Sequence, residues 1–112
     1  MQVEPMANKT DDPQVQIDLP MDKISEFCQR WQITEFALFG SVLRDDFRPD
    51  SDIDVLIKFA TEASHDRESM SRELESLFNR KVHLVYRRVI ERDSNYLLRK
   101  SILGSAQVIY AT

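Results

Sequence analysis

The chain has 112 residues, 15 Lys and Arg against 19 Asp and Glu, and two glycines, where average usage of about 7% would supply roughly eight. That length is one small domain; the glycine count excludes collagen-like chains, Gly-rich linkers and the multi-glycine nucleotide loops, and no apolar run approaches the roughly 18–20 residues of a membrane span. A net charge of −4 argues against a general nucleic-acid binder, and the single cysteine, Cys28, has no internal disulfide partner, so a reducing, cytoplasmic setting is expected.

Residues 1–19 mix Pro, Gln, Asn and Asp without apolar periodicity and read as a flexible arm. The first 20 residues lack the basic start and apolar run of a signal peptide. Residues 20–112 read as the folded domain. After Pro20, with Asp22 as the expected N-cap, Ile24, Phe27, Cys28 and Trp31 form one stripe at i, i+3, i+4 and i+7, the spacing of an amphipathic helix. Thr34 to Phe39 is a short, nearly continuous apolar run, as suits a strand covered on both faces. Gly40-Ser41 ends it, and Val42 to Asp45 reads as a short helix. Phe47 to Ser51 is a turn around Pro49. Asp52 to Phe59 alternates as a strand, with Ile53, Val55 and Ile57 on one side and Asp52, Asp54, Leu56 and Lys58 on the other.

Asp66 is the expected cap of a helix from Arg67 to Asn79, with Met70, Leu74, Leu77 and Phe78 along one stripe. Its acids fall early, and Arg80 just beyond its end suits the macrodipole. Lys81 to Tyr86 sets Val82, Leu84 and Tyr86 against His83 and Val85, a third strand. A last helix around Ser94 to Leu103 is expected to stop at Gly104, a natural C′ residue, before a short strand or tail from Ala106 to Tyr110. The order predicts an α/β (α+β) domain, a small mixed sheet with helices packed on it. Charge is uneven along it: residues 1–22 carry −4, residues 23–66 carry −4 and residues 67–112 carry +4. Solvated helix faces account for this. So does an acidic centre that holds cations beside a basic half that meets phosphate or an acidic partner.

The chemistry concentrates between Phe39 and Ile57. Asp52 and Asp54 are two apart at a strand start, so both carboxylates leave the same face. Two such carboxylates repel unless a cation joins them, and Mg²⁺ takes one or two protein carboxylates together with substrate phosphates and water. Gly40 lets the backbone approach a ligand, Ser41 adds a hydroxyl, and a helix starting there would offer amides to phosphate. Arg44, one turn on, is within reach of a phosphate oxygen, or pairs with Asp46 or Asp50. Each half of this pattern alone is most often a bend or a solvated turn.

The combined run G-S-x-x-R-x-D-x-x-x-x-S-D-I-D resembles the signature of the DNA polymerase β-type nucleotidyltransferases. The short length and the R-x-D and S-D-I-D details resemble its minimal nucleotidyltransferase (MNT) branch, and the fold implied is nucleotidyltransferase-like. The resemblance implies that Gly40 and Ser41 hold the triphosphate of ATP, with Arg44 and Ser51 beside it, and that Asp52 and Asp54 bind Mg²⁺ and serve catalysis. The reaction implied is in-line attack by a hydroxyl on the α-phosphate, with release of pyrophosphate.

One position departs from the family. Its strand after the middle helix reads V-D-L-V, with a third carboxylate; here it reads V-H-L-V, with His83 in that place. Imidazole is a poor Mg²⁺ ligand but a capable general base, so His83 is a base, a mark of an impaired site, or a packed, hydrogen-bonded histidine. His65 carries no assignment, and Tyr86, Tyr96 and Tyr110 read as packing residues.

Small MNT proteins resemble the antitoxin half of toxin–antitoxin pairs whose other member is a HEPN-type ribonuclease toxin. The implied function is a protein adenylyltransferase that AMPylates and neutralises that toxin within a hetero-oligomer. The alternatives are neutralisation by binding alone and nucleotide transfer to a small molecule; the second lacks a further domain to build a substrate pocket.

Overall fold

The architecture follows from which strand residues face which way. The computed structural model describes residues 17–43, 48, 51–61 and 66–112. Four strands, β1 (Ile33–Phe39), β2 (Ile53–Phe59), β3 (Val82–Tyr86) and β4 (Gln107–Ala111), form one mixed sheet in the order β3-β2-β1-β4. β1 runs antiparallel to β2 and to β4, while β2 and β3 are parallel, the pairing that requires a crossover. That crossover is the helix α2 (Arg67–Phe78).

Because strand side chains alternate, the apolar strands feed two cores. Phe36 and Leu38 of β1, Ile53, Val55 and Ile57 of β2 and Leu84 of β3 join Ile24, Phe27 and Cys28 of α1 (Met21–Arg30) and Met70 and Leu74 of α2. Ala37, Phe39 and Leu56 face the other way, against Ile90 of α3 (Arg87–Glu91) and Ile102 and Leu103 of α4 (Tyr96–Ser105). The expected two-sided cover of the first strand is therefore present. Each fully buried Phe, Leu, Ile or Val contributes about 1.5–3 kcal/mol relative to exposure, so the larger α1/α2 core dominates stability. Burial pushes the Cys28 thiol up to about 12, so it stays protonated and packs as a small apolar group. Glu73 ties the helices of that face together, accepting from Trp31 Nε1 at 3.2 Å and pairing with Arg30 at 2.8 Å. Across the sheet, Arg87 pairs with Glu35 of β1 at 2.7 Å.

Several boundaries differ from the sequence reading. α1 begins at Met21 after Pro20, which makes no side-chain cap, so Asp22 lies inside the first turn rather than at the N-cap; there its charge still favours the positive helix end. Asp66 does cap α2, accepting from Ser69 N at 3.0 Å and Ser69 Oγ at 2.7 Å. These bonds hold its carboxyl below its ordinary pKa.

The expected short helix at Val42 is a single 3₁₀ turn, Gly40–Leu43, and Asp45 lies outside the described residues. α3 was not expected: five residues are too few to show a helical period. Gly104 does not stop α4, which runs through it to Ser105. The Ala106 N–H closes that helix on Ile102 O, and Ser105 Oγ donates to Ser101 O at 2.5 Å, so the last carbonyls are met without a left-handed glycine. Instead Gln32 and Asn79, both at φ 57°, make the left-handed turns after α1 and α2. Tyr86 and Tyr110 pack against the core as expected, but Tyr96 is 60% exposed with Arg99 and Lys100 near its ring.

Leu19 is buried and Ile17 packs against the same core; residues 1–16 of the expected arm lie outside the described residues. Among the described residues no helix is long and apolar enough to cross a membrane.

Candidate functional site

The sheet brings the chemistry-bearing residues together by register. Antiparallel pairing places Asp54 opposite Phe39, the residue before Gly40. Parallel pairing places Asp54 beside His83. The end of β1, the start of β2 and the start of β3 therefore meet at one edge. Alternation sends Asp54 and His83 to the face of Leu56 and Val85, away from the buried Ile53, Val55 and Leu84.

Asp54 is held on two sides. Its Oδ1 lies 3.2 Å from His83 Nδ1. On the other side is Gly40, at φ +79°. A Cβ built there would collide with Asp54 Oδ2 and stand 3.1 Å from its Cγ. Gly40 is thus required twice over, for a left-handed turn and for the space that the carboxylate fills. Asp54 is 23% exposed while His83 is 62% exposed. The carboxylate is set back in the ledge and the imidazole stands at its rim. Among the described residues, the ion pairs give Asp54 the His83 ring and no lysine or arginine.

Asp52 is exposed and stands one residue before β2. The turn that delivers it is closed locally: Ser51 N donates to Arg48 O at 3.0 Å and Ser51 Oγ accepts from Arg48 N at 2.9 Å. Ser51 thereby has a structural part in the turn. Arg80 Nη1 donates to Arg48 O at 2.9 Å and to Ser51 O at 3.2 Å. The sequence reading gave Arg80 only a helix-end charge. Nothing in local spacing marks a contact with a turn 29 residues away.

Gly40 and Ser41 open the 3₁₀ turn. A four-residue turn carries little macrodipole, so what it offers a phosphate is the bare backbone at Gly40 rather than a helix end. Arg44 and the side chain of Ser41 lie outside the described residues, as does His65. Hard carboxylate oxygens on neighbouring alternate residues suit Mg²⁺, which accepts one or two of them with phosphates and water completing its shell. Yet among the described residues no group of three or more His, Cys, Asp or Glu side chains is arranged to hold a metal. A cavity of about 170 Å³ lined by Ile57, Phe59, Tyr86 and Arg88 lies at the far end of β2 and β3 and includes none of these residues.

The family model of the nucleotidyltransferase domain matches residues 21–109. No curated protein matches the chain. Among solved structures, a toxin–antitoxin complex with AMP-PNP is similar at 22% identity and TM-score 0.66, over 84% of this chain and 75% of that one. A mutant MntA–HepT toxin–antitoxin complex is similar at 20% identity and TM-score 0.63, with the same coverage. A complex of the tri-AMPylated Shewanella oneidensis HEPN toxin with its MNT antitoxin is similar at 21% identity and TM-score 0.56, over 81% of this chain and 69% of that one. With the glycine turn, Asp54 on β2, Asp52 just before it, and a family match that takes in β1, β2, β3 and the start of β4, the chain belongs to the nucleotidyltransferase domain family.

Proposed function

We propose that this protein is an ATP- and Mg²⁺-dependent adenylyltransferase that modifies a hydroxyl on a HEPN-type toxin partner and so neutralises it. The observation that carries the reading is the seating of the Asp54 carboxylate directly on Gly40, with His83 at its other oxygen. A carboxylate is thereby fixed at the spot where the turn's backbone is barest. Gly40 and Ser41 would cradle the triphosphate, with Arg44 and Ser51 nearby, and Asp52 and Asp54 would hold the metal. Bound Mg²⁺ supplies neutralisation of charge on the transferring phosphoryl group.

In the reaction the partner's hydroxyl oxygen bonds to the α-phosphorus of ATP. The bond to the β-bridging oxygen breaks and pyrophosphate leaves, while the hydroxyl proton passes to a base. His83 stands on the correct face for that base and is open to solvent. The neighbouring structures support the partner class, since they are toxin–antitoxin complexes, one with AMP-PNP and one with a tri-AMPylated HEPN toxin. A cytoplasmic setting accords with this reading.

Mass spectrometry of the partner after co-expression tests the proposal. Added AMP units are expected with the unmutated protein, and none with Asp52→Asn or Asp54→Asn. His83 itself favours a second reading, neutralisation by binding alone, because a third carboxylate is replaced by a side chain that holds Mg²⁺ poorly. Under that reading the double aspartate variant would protect cells as well as the unmutated protein does.

Replacing His83 by Asp separates the two. It would restore an oxygen ligand at the register position beside Asp54. If the imidazole takes the hydroxyl proton, as in the first reading, AMP transfer falls; a rise of about tenfold or more, the scale on which groups around a metal change its binding, would favour the second reading, in which His83 impairs the site.

A further inference from the structure

We propose that Arg80 is a positioning residue for Asp52: its guanidinium holds the backbone just before that carboxylate, while the next residue, Lys81, holds the backbone just after it, in the geometry that metal binding needs. The inference rests on the reading that Asp52 is a metal ligand. Asp52 lies outside the regular strand, at the end of a tight turn, so its direction is not set by sheet pairing alone. Two bonds frame it. On one side Ser51 O accepts from Arg80 Nη1 at 3.2 Å; on the other, Ile53 N donates to Lys81 O at 3.0 Å. Consecutive residues of the connection between α2 and β3 therefore grip the residues before and after Asp52. The same Arg80 nitrogen also donates to Arg48 O at 2.9 Å, the carbonyl that closes the turn with Ser51 N.

The grip is itself anchored. Asn79, in the left-handed conformation at φ 57°, turns the chain out of α2. Arg80 N then donates to Glu75 O at 3.2 Å, and Glu75 Oε2 accepts from Val82 N at 3.2 Å. Arg80 is half-buried, and its bond to Ser51 O is partly shielded from water, where such a bond counts for more. The guanidinium presents fixed donors that meet both carbonyls at once, whereas a lysine ammonium is a flexible point donor. Nothing in this arrangement places Arg80 on the nucleotide or the reacting atoms; it acts through Asp52.

The test uses the full chain, with Mn²⁺ and AMP-PNP as probes. Metal affinity is read by water-proton relaxation, alongside amide hydrogen exchange of residues 51–53 and thermal melting. Arg80→Ala is expected to weaken Mn²⁺ binding about tenfold to a hundredfold, as loss of a group orienting a ligand does. It should speed exchange at residues 51–53 while exchange across α1 and β1 stays protected. Arg80→Lys should recover part of both effects, and it carries the comparison if Arg80→Ala does not fold. Unchanged Mn²⁺ affinity in a folded Arg80 variant, with affinity lost in Asp52→Asn, would overturn the proposal. Should Asp52→Asn leave Mn²⁺ binding intact, the underlying metal reading fails instead.

Discussion

Gly40→Ala is expected to abolish nucleotide transfer and to destabilise the fold, because two separate penalties act at one atom. A non-glycine residue at φ +79° occupies a sparsely populated region, at a cost of order 1–3 kcal/mol. The new methyl group would also strike Asp54 Oδ2. Relief would have to come from the Asp54 carboxylate turning away from Gly40, and so from its place beside His83, because the backbone of both residues is fixed. Gly40 is fixed between β1 and the 3₁₀ turn, and Asp54 is paired in the sheet on both sides, to Phe39 and His83. Denaturant unfolding should show a loss of about 2–4 kcal/mol, the backbone strain together with a modest overpacking term. Transfer should be lost even where the variant is fully folded. A folded Gly40→Ala protein with near-normal transfer would mean that the turn and the carboxylate do not form one site.

Asp54→Asn should do the reverse: leave stability nearly unchanged and remove activity. The amide is close to isosteric, still fits against Gly40, and still accepts from His83 Nδ1 through its carbonyl oxygen. What disappears is the negative charge. Losing a hydrogen-bond partner of a metal ligand costs about 10–100-fold, so losing the ligand's own charge should cost at least that much in transfer rate. Melting temperature and rate measured on the same preparation check this. A parallel fall in both would make Asp54 a structural residue.

These two expectations also show how far the sequence could be read. Strand alternation separated Ile53, Val55 and Ile57 from Asp54 and Leu56 correctly, since period two is a local property that tertiary packing rarely overrides. Likewise Val82 and Leu84 were separated from His83 by the same rule, and the Asp66 cap was legible because its acceptor lies three residues from its donor. Gly104 was misread because a glycine near a helix end satisfies the stop pattern whether or not it adopts the left-handed conformation. The carbonyls there are closed by Ala106 and Ser105 instead.

The contact of Gly40 with Asp54 and the reach of Arg80 to Ser51 are products of sheet pairing and crossover length. No window of neighbouring residues contains them. The pattern of G-S and D-x-D pointed to the residues of the candidate site; the register shows how a single glycine comes to lie against Asp54. It stands across a strand pair from the carboxylate it accommodates, so the bare Gly40 backbone and the Asp54 carboxylate occupy one ledge, where the proposed function puts phosphate and metal.

The most direct test of the central claim is the intact mass of a HEPN-type partner incubated with this protein, ATP and Mg²⁺. The account predicts mass increments of whole AMP units that vanish when Asp54→Asn replaces the unmutated protein. A partner whose mass stays unchanged while its toxicity is still suppressed would contradict it.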